Sequence, residues 1–291
     1  MSAVQRVVVT GLGMVSPLGI GWRAAWDNAL AGTSTAREIT RFDASEHACR
    51  IACEVRCFEP ADHIDRRALR RMDRVSQFAV AAARLALDDA GLEIEGEGER
   101  AGVVMSTGNG SSESFETFHR NLLERGHERA SPLMVPVTIV NMSAGHVSIE
   151  LGLRGPSSCV VTACASGNHG IGDAAAFIRR GSADVMLAGG TEAGVTPFCM
   201  ARLDATRALS RRNDDPEHAS RPFDAGRDGF VSAEGAGVLV LESLEHAQAR
   251  DAEIICELVG YGLSSAIRMA ATCQRPLGSG SVRWYASAER P

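Results

Sequence analysis

Three observations predict an α/β fold with a central sheet covered on both faces. Short, nearly continuous apolar runs recur along the chain, within 6–10, 100–107, 183–190 and 235–242, and stretches of helical periodicity lie between them. Strands buried on both faces read as continuous apolar runs, whereas half-exposed strands alternate. The composition agrees: 45% of residues are hydrophobic but only 5% aromatic, and 30 are glycine, which is the make-up of a compact Ala/Val/Leu/Gly-rich core. Finally, the 291 residues contain no Pro- or Ser-rich linker and no repeat of solenoid length, so nothing in composition splits the chain into independent parts.

The elements follow in order. Arg6–Thr10 predicts a strand, and Gly11-Leu12-Gly13 a tight turn after it. Gly21–Gly32 predicts a helix, with Trp22, Trp26 and Leu30 at four-residue spacing. Residues 33–60 are polar and irregular. Arg66–Gly91 predicts one long helix with Met72, Val75, Phe78, Ala79, Ala82 and Leu85 on a single face and Gly91 as its stop. A strand at 100–107, a Gly/Ser-rich loop and a helix at 114–125 come next. A helix over 140–152, a strand over 158–163 and a helix over 170–180 follow. Strands at 183–190 and 235–242, a short helix at 244–250 and a strand at 254–262 complete the series.

The net charge of −6 gives no support for general nucleic-acid binding. All 30 basic residues are arginine, so no lysine of this chain can form a Schiff base or act as a base. No apolar run reaches the ~18 residues of a membrane span and no signal-peptide pattern opens the chain, so a cytoplasmic location is expected. The eight cysteines are then expected as thiols, not as a disulfide framework. Cys49, Cys53 and Cys57 recur every four residues, but no set of four ligands at usual spacing completes a metal site, and packing thiols are expected there.

The chemistry concentrates in Val160-Val161-Thr162-Ala163-Cys164-Ala165-Ser166-Gly167-Asn168-His169-Gly170-Ile171-Gly172. This reads as a buried strand that ends on a cysteine and turns at once into a helix. A thiol there faces the positive end of the helix, which favours the thiolate. Small neighbours leave room for a substrate arm. Free cysteines are often merely buried, but this setting points to Cys164 as a nucleophile that forms a covalent acyl-enzyme. His146 and His169 lie near in sequence, but the spacing of His169 does not require its ring to face the thiol.

Taken together, several stretches resemble the β-ketoacyl-acyl-carrier-protein synthases, specifically the type II bacterial elongation enzymes of the thiolase superfamily. They are VVVTGLGMVSPLG at 7–19, RRMDRVSQFAVAAARLALDDAGL at 70–92, VPVTIVNMSAGHVSIELGLRGPS at 135–157, VTACASGNHGIGDA at 161–174, DVMLAGGTEA at 184–193 and the run from 207 to 265. The resemblance implies a thiolase-like layered fold, with residues 1–250 as the N-terminal domain, 251–265 as the opening strand of a second domain and 266–291 as a tail without family match. It implies Cys164 as the acyl-accepting nucleophile, no metal or other cofactor, acyl- and malonyl-loaded carrier protein as partner, and a homodimer. Arg66, Arg67, Arg70, Arg71 and Arg74 form a basic face at helical spacing, suited to an acidic carrier protein. Asn109 stands where the family usually has an apolar gate residue, and Met134 where phenylalanine is common. A buried amide needs partners, so Asn109 disfavours a long dry acyl chain.

The family's two catalytic histidines lie in motifs of its second half, and neither the histidine-glycine-threonine motif nor the lysine-containing one occurs in this sequence. The expectation is a truncated or frameshifted condensing enzyme, inactive as it stands, with apolar faces left uncovered. The competing readings are a non-catalytic fragment that binds carrier protein or an intact synthase, and a cysteine acyltransferase or hydrolase that keeps only acyl loading.

Overall fold

The structure, a computed structural model, describes residues 5–264. Its elements are β1 (Val7–Ser16), β2 (Gly19–Ile20), α1 (Trp22–Leu30), β3 (Arg37–Glu38), β4 (Ile51–Ala52), α2 (Arg66–Leu69), α3 (Arg74–Ala90), β5 (Ala101–Ser106) and α4 (Ser112–Arg125). They continue as α5 (Met134–Thr138), α6 (Met142–Leu151), β6 (Ser157–Ser158), α7 (Ser166–Arg179), β7 (Val185–Glu192), α8 (Pro197–Ala205), β8 (Gly235–Ser243), α9 (Leu244–Ala249) and β9 (Cys256–Glu257). The proposed tail at 266–291 lies outside the described residues.

The main sheet is mixed, in the order β2-β1-β8-β7-β5-β6, with β9 pairing β1. β8 runs antiparallel to both β1 and β7, and β5 is parallel to β7 and β6. All of β5 is buried, as is nearly all of β7. One face carries α3 and the core around Phe78, Met105, Leu187 and Val240, while the other carries α7 with Ala174, Ala175, Ile178 and Met186. The expected sheet with two covered faces is therefore present.

Two departures have physical causes. No turn forms at Gly11-Leu12-Gly13; β1 continues through it, with a bulge against β8 between Val9 and Gly11. The glycines are needed because α3 lies on the strand: a Cβ at Gly13 would sit 1.8 Å from the Ala82 carbonyl oxygen, and one at Gly11 2.4 Å from that of Ala86. The single helix expected over 66–91 is two. α2 stops at Leu69, and Asp73 then caps α3, its Oδ1 accepting the Val75 N–H at 3.0 Å. Met72 is buried in the connecting turn instead of on the helix. The C-terminal stop is as expected, with Gly91 left-handed at φ 57°.

Residues 33–60 are better ordered than expected. β3 and β4 pair there, and Cys49, Ile51 and Ala52 join a separate core cluster with Met200 and Leu209. Burial pushes the Cys49 thiol up, as for a packing residue. Large apolar side chains stay exposed elsewhere, among them Val135, Ile139, Ile149, Val161, Phe198 and Phe223.

Candidate active site

The expected strand over 158–163 is only Ser157–Ser158. It pairs in parallel with Val103 and Val104 of β5, and β5 itself ends at Ser106. Continuing that register sets Ser106 level with Val160, so the chain beyond has no strand to pair with. The Val160 N–H reaches the Ser106 hydroxyl at 3.4 Å in place of a ladder partner. Val161, Thr162, Ala163 and Cys164 are consequently exposed.

Cys164 sits in a single 3-10 turn, Ala163–Ala165, that runs directly into α7. Ala163 adopts φ +52°, in the left-handed region, which costs a residue with a Cβ about 1–2 kcal/mol. Ser166 secures this turn. Its buried hydroxyl donates to the Ala163 carbonyl at 2.6 Å and accepts the Thr162 N–H at 2.8 Å. α7 begins at Ser166, four residues ahead of the sequence expectation, because Gly167 and Gly170 let it press against the sheet. A Cβ at Gly170 would lie 2.5 Å from the Ser106 hydroxyl, and one at Gly190 3.1 Å from the Gly167 Cα. The result is an exposed thiol two residues ahead of the first residue of a fourteen-residue helix.

His169 does not complete a dyad with it: its Nδ1 shares a hydrogen bond with the Thr162 hydroxyl at 2.8 Å. His146 is buried on α6, and burial pushes its imidazole down, against a backbone hydrogen bond with Arg71.

The loop after β5 brings Asn109 toward the turn. Gly108 packs on Ala163, where an added Cβ would be 3.6 Å from its carbonyl oxygen. Asn109 is half-buried, and its Oδ1 accepts a hydrogen bond from Arg202. Met134 opens α5, which packs against α4 and α6; beyond α5, Val140 lies against Gly110. Glu192, at the end of β7, is a residue that the sequence reading passes over. Burial pushes its carboxyl up, while hydrogen bonds from the Gly108 and Asn109 backbones pull the other way. Its signal in sequence is a lone acid closing an otherwise apolar strand.

The basic face divides. Arg66, Arg67, Arg70 and Arg71 are exposed on α2 and the turn that follows. Arg67 and Arg71 line a cleft of about 260 Å³ with Met72, His146 and Ile149. Arg74 does not belong with them. It turns inward and donates from Nε and Nη2 to Glu234, at 3.0 and 2.7 Å, and to the Val55 carbonyl at 2.8 Å. The break at Asp73 rotates it away from the others, so the helical spacing that groups it with them does not hold.

Among the described residues no helix is long and apolar enough to cross a membrane. The family described as "Beta-ketoacyl synthase, N-terminal domain" matches residues 4–247. The 3-oxoacyl-[acyl-carrier-protein] synthase 2 of Staphylococcus aureus (strain COL) is 48% identical over 284 residues, 97% of this chain and 68% of its own length. That span enters residues 266–291. A solved β-ketoacyl synthase from Burkholderia phymatum superposes with a TM-score of 0.79 at 38% identity, covering 88% of this chain and 63% of that one. The ishigamide ketosynthase/chain length factor gives 0.82 at 39%, covering 89% and 64%. The chain thus spans about two thirds of the relatives it matches. With an α/β sheet covered on both faces, a cysteine on a strained turn at the head of α7 and a family match over most of its length, the chain belongs to the β-ketoacyl synthases, of which it carries the N-terminal domain.

Proposed function

We propose that the chain serves a β-ketoacyl-[acyl-carrier-protein] synthase II reaction of fatty-acid elongation, with Cys164 as its nucleophile. The observation that carries this reading is the exposed thiol on the Ala163–Ala165 turn, held by Ser166 at the start of α7. The Cys164 thiolate attacks the thioester carbonyl of acyl-carrier protein. The backbone N–H of Cys164 donates to the oxyanion, the bond to the carrier's sulfur breaks, and the carrier leaves as a thiolate that takes a proton from solvent. In the second half of the reaction, malonyl-carrier protein loses carbon dioxide. Its carbanion forms a carbon–carbon bond to the acyl group, and Cys164 departs as thiolate.

Asn109 and Met134 are assigned to the acyl pocket. Arg66, Arg67, Arg70 and Arg71 dock the acidic carrier, and Arg74, turned inward to Glu234, takes no part in that surface. A homodimer in the cytoplasm, with the domain boundary at residue 250, completes the reading. The histidine motifs that the resemblance assigns to condensation are not among these 291 residues, and the step that this chain's own residues support is the loading of Cys164.

Intact-mass analysis of the full chain mixed with acyl-carrier protein tests this. One acyl group is expected on the protein, none on Cys164→Ala, and no β-ketoacyl product after malonyl-carrier protein is added. Acylation that persists in Cys164→Ala refutes the assignment of the nucleophile.

A further inference from the structure

The Thr107–Gly110 loop is held by side chains from two other elements. From β7, Glu192 turns its carboxyl under the loop, where Oε2 accepts the N–H of Gly108 at 2.9 Å and of Asn109 at 3.1 Å. The Thr107 hydroxyl lies 3.4 Å from the same oxygen and accepts the Gly110 N–H at 3.0 Å. From α8, Arg202 donates to Asn109 Oδ1. Glu192 Oε1 is buried with no hydrogen-bond partner among the described residues. None of this is required by the sheet, since β7 pairs with β5 and β8 through its backbone.

The loop has little slack against its neighbours. A Cβ on Gly108 would meet Glu192 Oε2 at 3.1 Å and the Ala163 carbonyl at 3.6 Å, and one on Gly110 would meet Val140 at 3.2 Å. Ala163 is the residue before Cys164, so whatever fixes Gly108 also fixes the side of the turn that precedes the cysteine. A buried polar network that satisfies several donors at once has one preferred arrangement, and removing its central acceptor frees them all.

We propose that Glu192 is a positioning residue that, with Arg202 acting on Asn109, holds the Thr107–Gly110 loop against the Ala163–Ala165 turn and thereby limits the length of aliphatic acyl chain that fits beside Cys164. The inference rests on Cys164 being the nucleophile. With the loop fixed, the site takes short acyl groups; with it freed, longer ones enter.

The test measures how fast iodoacetamide and N-decyl iodoacetamide modify Cys164 in the full chain, with the site identified by peptide mass mapping. Wild-type protein reacts faster with the short reagent. Glu192→Ala raises the long-to-short rate ratio about tenfold, the factor expected for losing about one net hydrogen bond. Glu192→Gln keeps an oxygen for the Gly108 and Asn109 N–H groups and stays within about twofold of wild type. Arg202→Met, at an exposed position, raises the ratio in the same direction and serves if Glu192→Ala does not fold. A purely structural role would change both rates alike and leave the ratio unmoved. An unchanged ratio in both Glu192→Ala and Arg202→Met overturns the proposal, as does a Gln variant that behaves like Ala. A Cys164 that neither reagent modifies in wild-type protein overturns the nucleophile assignment, and the positioning role with it.

Discussion

Replacing Arg74 separates two roles that its sequence position confuses. The Arg74 side chain is 15% exposed and that of Glu234 is fully buried. Glu234 Oε1 also accepts the Val55 N–H at 2.9 Å, so the pair ties α3 to the segment after β4 and to the start of β8. The guanidinium further covers the Phe78 ring, 4.5 Å from its centroid. In Arg74→Met the stem still packs on that ring, but Glu234 is left as a buried carboxylate with one backbone donor. Breaking a buried pair from one side costs about 3–5 kcal/mol, which lowers the melting temperature by roughly 10 °C in a chain of this size. Adding Glu234→Gln removes the stranded charge, so the double variant recovers much of the loss, and the coupling read from the cycle is about 2 kcal/mol or more. Urea unfolding at neutral pH measures all three variants. Arg67→Ala and Arg71→Ala, at exposed positions, change stability by less than about 0.5 kcal/mol. A loss below about 1 kcal/mol in Arg74→Met refutes the buried-pair account and returns Arg74 to the basic face.

Further outcomes are expected from the same structure. Gly13→Ala drives a Cβ to 1.8 Å from the Ala82 carbonyl and costs at least about 3 kcal/mol in urea unfolding, whereas Gly237→Ala meets no atom within 4 Å and stays within about 1 kcal/mol. Asp73→Ala removes the cap of α3 and the acceptor of the Ser114 N–H at 2.9 Å, costing about 2 kcal/mol by the same assay. Burial pushes the Asp89 carboxyl up, but hydrogen bonds from the Trp22 indole, the Leu12 N–H and Arg23 outweigh it and hold its pKa below the usual aspartate value. A depressed acid stabilises the fold above its unfolded pKa of about 4 and loses that contribution as pH falls through the folded value. Asp89→Asn is therefore less stable than wild type at pH 7, and its urea midpoint falls less steeply below about pH 4.

Local pattern along the chain was enough to give the class of fold and to single out the turn that carries Cys164. Continuous apolar runs suit strands buried on both faces, which is how β5 and most of β7 lie, and Gly91 and Gly152 end their helices because glycine takes the left-handed position without cost. Cys164 was legible because small residues around a thiol between a strand signal and a helix signal have a local meaning. What required the tertiary structure were facts about neighbours distant in sequence. Gly11 and Gly13 read as a turn until α3 is seen lying on them. Arg74 reads as a fifth docking arginine until Glu234, 160 residues away, claims it. The strand toward Cys164 stops early because β5 ends beside it, and Glu192 acquires a role only because folding sets β7 next to the loop after β5. Periodicity and turn chemistry act over a few residues, so a sequence displays them; the partner of a buried charge or the clearance above a glycine is fixed by packing between segments that the sequence does not place side by side.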